Sequence, residues 1–153
     1  WLYIAADEAL AVTLSDFYGR GGWNKDTLFR RTESEKENLG FVLYRRVNPA
    51  FFDSLARHVD SAGVDTMTNT AGRLFKRGAV SHKDTAEWVR VNAKLIPAAP
   101  GGTSVGPRRY RHIDYNLYND ILYEYRLVAI SMDNGHSEYG PVTARPGIPL
   151  RPF

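Results

Sequence analysis

Between Asp120 and Ser131, Tyr123, Tyr125, Leu127 and Ala129 alternate with Leu122, Glu124, Arg126 and Val128. A repeat of two residues puts one set on each face of a β-strand and cannot form the stripe of an amphipathic helix. A second run, Gly40 to Val47, sets Phe41, Leu43 and Arg45 against Val42, Tyr44 and Arg46. Large residues on both faces predict a strand central in its sheet. These two runs tie the chain to a β-fold.

The remaining segments are shorter. Leu10 to Phe17 alternates in part and predicts a first strand, followed by a turn at Gly19-Arg20-Gly21-Gly22 and a second strand from Trp23 to Arg31. A charged connection, Thr32 to Asn38, leads to the Gly40 run. Asn48-Pro49 reads as an N-cap with proline at the first helical position, opening a short amphipathic helix over 50–59 with Phe51, Leu55 and Val59 on one side. The pattern then dissolves into small polar residues until Asp84, so 50–85 reads as a partly helical insertion, a length of connection that is commonly either functional or locally mobile. Further strands are predicted at Ala86 to Asn92 and Arg109 to Asp114, separated by a Pro/Gly-rich loop over 97–107. Asp133-Asn134-Gly135 closes a hairpin into Glu138 to Ala144, because Asn-Gly accepts the positive φ of a tight turn. About seven strands with such punctuation predict an antiparallel Greek-key β-sandwich. The single domain spans 1–146, and 147–153 forms a Pro-rich tail or linker.

Composition narrows the function classes. At 153 residues one hydrophobic core suffices without staples. The absence of cysteine excludes thiolate catalysis and cysteine-ligated metal. A net charge of +3 lacks the concentrated excess of a dedicated nucleic-acid binder. The opening Trp1 to Ala6 is too short to span a membrane. A chain beginning at Trp1 reads as a processed protein or a fragment of a longer one.

No catalytic constellation emerges. His58, His82, His112 and His136 are scattered, without a metal-ligand spacing, and no G-x-S-x-G elbow is present. Gly101 to Gly106 lacks the lysine of a phosphate-binding loop. Glu33, Glu35, Glu37 and Asp26 are hard oxygen donors of the type calcium takes, yet alternating Ser and Glu between strands reads first as a solvated surface. Arg73, Lys76, Arg77, His82 and Lys83 form one basic cluster, mixed with acidic residues, and Arg108, Arg109 and Arg111 form another. Tyr115, Tyr118, Tyr139, Trp1, Tyr3 and Trp23 fall partly outside the core pattern, and such rings serve protein contacts or sugar stacking. The expected catalytic, cofactor-binding and metal residues are therefore none.

Residues 32–45, Thr-Glu-Ser-Glu-Lys-Glu-Asn-Leu-Gly-Phe-Val-Leu-Tyr-Arg, carry a T-x-S-E-x-x-N-x-G-F-x-x-Y-R pattern. It resembles the signature of fibronectin type III-like modules in secreted and cell-surface bacterial proteins. Asn92 to Ala98, Tyr110 to Asp114, Leu122 to Leu127 and Gly140-Pro141-Val142 are similar to the closing strands of that family. Together the matches cover 10–47 and 86–146. The resemblance implies a fibronectin type III-type sandwich in which Tyr123 is the tyrosine-corner residue, its hydroxyl bonding to backbone near Leu117, with Phe41, Tyr125 and Leu127 in the core. Two departures stand out. Arg30 occupies the position where the family usually has a core Trp, so Phe29, Trp23 or Trp88 would have to fill the space. The 50–85 insertion also exceeds the usual connection.

The resemblance implies a non-catalytic structural or protein-interaction module, exported and extracellular or at the cell surface. Its partners would be other domains of a longer parent chain or neighbouring subunits. The alternative is an accessory carbohydrate-binding domain of an extracellular hydrolase, with a glycan as ligand. The insertion is the expected contact surface, and its candidate interface residues are Phe51, Phe52, Arg73, Phe75, Lys76 and Arg77, with Trp88 beside them.

Overall fold

A computed structural model describes residues 12–53, 56–59, 65–68, 74–76 and 87–147. They form an all-β sandwich of antiparallel strands. One sheet has the order β1 (Val12–Gly22), β2 (Lys25–Glu35) and β9 (Arg108–Asp114). The other runs β11 (His136–Ala144), β10 (Tyr123–Ser131), β3 (Asn38–Val47) and β7 (Val89–Arg90), with β8 (Ile96–Pro97) also pairing β3. The long alternating runs are the two central strands β3 and β10, in register through Leu43↔Leu127 and Arg45↔Tyr125. Inward residues from both sheets, among them Val12, Leu28, Phe41, Leu43, Tyr123, Tyr125 and Leu127, form one buried cluster.

Several boundaries differ from the sequence reading. The glycines after Phe17 continue β1 rather than turn it, and the turn is Trp23-Asn24, with Asn24 at φ 55°. The reason is close approach: a Cβ on Gly21 would sit 1.7 Å from the Arg145 carbonyl oxygen. Residues 32–35 are not a solvated connection either. β2 continues through them, burying Thr32 and Glu35, and only Lys36-Glu37 turns into β3.

The expected helix is α1 (Pro49–Asp53), five residues long. Asn48 caps it, its side-chain oxygen accepting the Phe51 N–H at 3.1 Å. The chain is already in β4 (Ala56–Val59) where the apolar spacing predicted helix to continue, and β5 (Asp65–Thr68) and β6 (Leu74–Lys76) complete an antiparallel meander. Inter-strand pairing, invisible to a local periodicity, overrides the helical spacing. The strand expected over 86–92 contracts to β7, and Asn92 instead plugs the edge of β3: its Oδ1 accepts the Leu43 N–H at 2.8 Å and its Nδ2 donates to the Lys94 and Phe41 carbonyls. After β11, Gly147 N–H donates to the Gly22 carbonyl and Asp120 N–H to that of Pro146, so 145–147 dock onto the domain.

Candidate functional site

In β2, the even-numbered residues from Asp26 to Thr32 point inward, and Lys25, Thr27, Phe29, Arg31 and Glu33 point outward. Register extends this outer face across the sheet: Tyr18↔Phe29↔Arg111 in one row, Asp16↔Arg31↔Arg109 in the next. Tyr18 and Phe29 stack at 5.1 Å and 20°, and the Arg20 guanidinium lies 5.9 Å from the Tyr18 ring. Arg31 pairs with Glu33 at 3.2 Å. Among the described residues, Arg20, Arg109 and Arg111 form no ion pair, and all three are exposed. A cleft of about 500 Å³ opens here, lined by Asp16, Tyr18, Phe29, Arg30, Arg31, Arg109 and Tyr110.

The outer face of the other sheet has the opposite character. Two of its cations are paired, Arg46 with Glu124 at 2.7 Å and Arg126 with Glu138 at 3.2 Å, and exposed Arg90 donates its Nε to the Asn92 carbonyl at 2.7 Å. The Arg46 and Arg126 guanidiniums also lie over the half-buried Trp88 ring, at 4.3 and 5.0 Å, and Arg126 covers Tyr44 at 4.8 Å. Trp88 is thus held in a cation–π ladder on the outside of the sandwich, and Phe29 and Trp23 are also outside the core. None of the three fills the core position at which a Trp was expected. Arg30 fills it, inward-facing and 4% exposed, its guanidinium 4.1 Å from the Phe41 ring and 4.2 Å from that of Tyr110. Burial lowers its pKa to about 10, against the pull of Tyr110 and Glu35, and its Nε and Nη2 have no hydrogen-bond acceptor.

Glu35 is a hub. It accepts hydrogen bonds from Thr32 Oγ1, Asn38 Nδ2, the Ala99 N–H and the Tyr110 hydroxyl. Burial alone would raise its pKa, but these donors outweigh burial and hold the carboxyl below its ordinary value. Its backbone also exchanges two bonds with Ser104, fastening the Pro/Gly loop to the end of β2.

A second buried polar group lies between the sheets. Tyr125 Oη is 2.8 Å from Asp26 Oδ2 and 3.0 Å from Asp114 Oδ2, and Asp114 is ion-paired with Arg45. The hydroxyl has one proton to give. Two buried carboxyl groups compete for it, and of the two Asp114 is the one paired with Arg45. Burial raises the Asp26 pKa to about 7, reinforced by Asp114 and opposed by the Tyr125 hydrogen bond and Arg45. Burial likewise pushes Tyr125 well above its ordinary value.

The four acidic residues weighed as cation ligands are therefore separated by their faces: Asp26 and Glu35 point inward to different partners, Glu33 outward, and Glu37 sits exposed in a turn. Among the described residues no group of three or more metal-ligating side chains forms a cation site. Of the candidate interface residues, Phe51 and Phe52 are half-buried and pack on the core cluster. Phe75 and Lys76 belong to β6. Arg73 and Arg77 lie outside the described residues. His112 is half-buried, and burial lowers its pKa. Sequence reading singled out Arg109 and Arg111, but not the Tyr18–Phe29 pair, which only cross-strand register brings together. No protein-family model matches the chain, and a search of characterised proteins finds no relative.

Proposed function

We propose that this chain is a non-catalytic, fibronectin type III-like module of an exported bacterial protein, in which a Greek-key sandwich serves as a structural or interaction unit. The observation that carries the reading is the Tyr123 hydroxyl, which accepts the Tyr118 N–H at 3.2 Å from the start of β10. This is the tyrosine-corner arrangement of such sandwiches. The strand order supports it: the chain passes from β2 to β3 in the opposite sheet, returns to pair β9 with β2, and crosses again to pair β10 with β3.

The glycan-binding alternative draws on a different observation, the outer face of β1, β2 and β9, where aromatic and guanidinium groups converge on a cleft. The denatured mass of the native chain, taken separately from cell-surface, medium and cytoplasmic fractions, tests the principal reading. A surface or medium product much heavier than 17.3 kDa supports a module of an exported protein. A product confined to the cytoplasm overturns it.

A further inference from the structure

Resting on the reading of a non-catalytic binding module, we propose that the outer face of the β1–β2–β9 sheet docks an acidic polysaccharide bearing uronate carboxylates. The contrast between the two outer faces selects this one. Arg46 and Arg126 on the other sheet are each matched by a glutamate, and the single exposed Arg90 there is bonded to the Asn92 carbonyl, whereas this face sets two arginines side by side. Here Arg109 and Arg111 stand exposed and unpaired among the described residues, two positions apart on one strand. Charges of one sign left uncompensated on a folded surface call for a partner of the other sign.

Side-chain chemistry narrows the partner. β2 is hydrogen-bonded on both sides and the sheet's edges are β1 and β9, so a ligand lying across this face meets side chains. The cations are guanidiniums, whose planar fork matches a planar carboxylate. Asp16, exposed in the same cleft, accepts hydrogen bonds but repels anions. A ligand that suits both groups carries carboxylates and hydroxyl donors together, as a uronate does; a phosphodiester backbone supplies only the anions. Tyr18 and Phe29 stack face to face and so give the cleft an apolar wall rather than an open base-stacking platform. The cleft, at about 500 Å³, lies within the range of small-ligand pockets, enough for a short stretch of sugar rings.

Affinity electrophoresis in gels containing polygalacturonate, dextran or poly-glutamate tests the assignment, with single-stranded DNA retardation and reducing-end release measured in parallel. Polygalacturonate should retard the chain, more weakly at higher salt, and dextran should not. Arg109→Gln/Arg111→Gln should weaken binding at least tenfold with an unchanged circular dichroism spectrum, and Lys94→Gln, in a distant exposed loop, should leave it intact. Equal retardation by dextran, equal or stronger binding of poly-glutamate or DNA, or full binding by the double variant would each overturn the proposed ligand and face, while leaving the non-catalytic module reading standing. Release of reducing ends from polygalacturonate would instead overturn the non-catalytic reading, and binding abolished by the double variant would still support the face.

Discussion

The Tyr125 hydroxyl lies 2.8 Å from Asp26 Oδ2 and 3.0 Å from Asp114 Oδ2 in the centre of the sandwich, one proton between two buried carboxyl groups, and Asp26 is the one whose pKa rises. Its pKa of about 7 stands above the ordinary value of 3.8. A group whose folded pKa is raised stabilises fully below its unfolded pKa and loses that contribution as pH rises through the folded value. Stability should therefore fall between about pH 4 and pH 7, by up to about 4 kcal/mol if the whole shift is expressed. Urea midpoints across this range, compared with those of Asp26→Asn, measure the effect. The variant should flatten this limb, and an identical slope in both proteins would assign the proton elsewhere.

Arg30 sets two opposed effects against one another. Lowering its pKa from 12.5 to about 10 corresponds to about 3 kcal/mol against the charged form. Two aromatic faces at about 4 Å return about 1–2 kcal/mol each when desolvated. The terms nearly cancel, so Arg30→Met, which keeps the apolar stem and drops the charge, should unfold within about 1 kcal/mol of the native chain. Arg30→Ala leaves a void beside Phe41 and should cost about 2–4 kcal/mol. Denaturant unfolding of both variants at pH 7 separates charge from packing, and a large loss in the Met variant would show that the stack wins.

Tyr123 is fully buried, and its hydroxyl accepts the Tyr118 N–H. Tyr123→Phe keeps the ring and leaves that N–H without this acceptor, an expected loss of about 1–2 kcal/mol. The damage should be local. Amide exchange at Tyr118 should speed up well beyond that in β3, and uniform acceleration would show that the hydroxyl supports the whole core rather than the corner.

The central strands were legible because a period of two survives in any window containing Phe41 to Arg45 or Tyr123 to Ala129, and the Asn134 turn because Asn-Gly has a local preference. What local pattern hid was every feature made by distant pairing. Glu33 and Glu35 look alike in sequence, yet one faces solvent and the other is enclosed by donors from Tyr110 and Ala99, more than 60 positions away. Gly19 to Gly22 resembled a turn because the Arg145 carbonyl, which leaves no room for a Cβ on Gly21, is equally remote. The outer face was half visible: the Arg109–Arg111 spacing is local, whereas the Tyr18–Phe29 stack needs the β1–β2 register.

Glu35 should govern the acid limb of stability with a sign opposite to that of Asp26. Burial raises its pKa, but hydrogen bonds from Tyr110, Asn38, Ala99 and Thr32 outweigh that, and the net shift is downward from 4.5. A depressed carboxyl stabilises above its unfolded pKa and loses that contribution as pH falls through the folded value. Glu35→Gln replaces one acceptor oxygen by a donor amide facing groups that already donate, which should cost about 2–4 kcal/mol at pH 7. Because the amide does not titrate, the variant should also lose less of its remaining stability than the native chain between pH 5 and pH 3. Chemical denaturation at pH 7, 5 and 3 checks both statements, and an equal acid loss in the two proteins would place the responsible carboxylate elsewhere. Together with Asp26→Asn it separates the limbs: one carboxyl makes the sandwich less stable as pH rises toward 7, the other as pH falls below about 4.5.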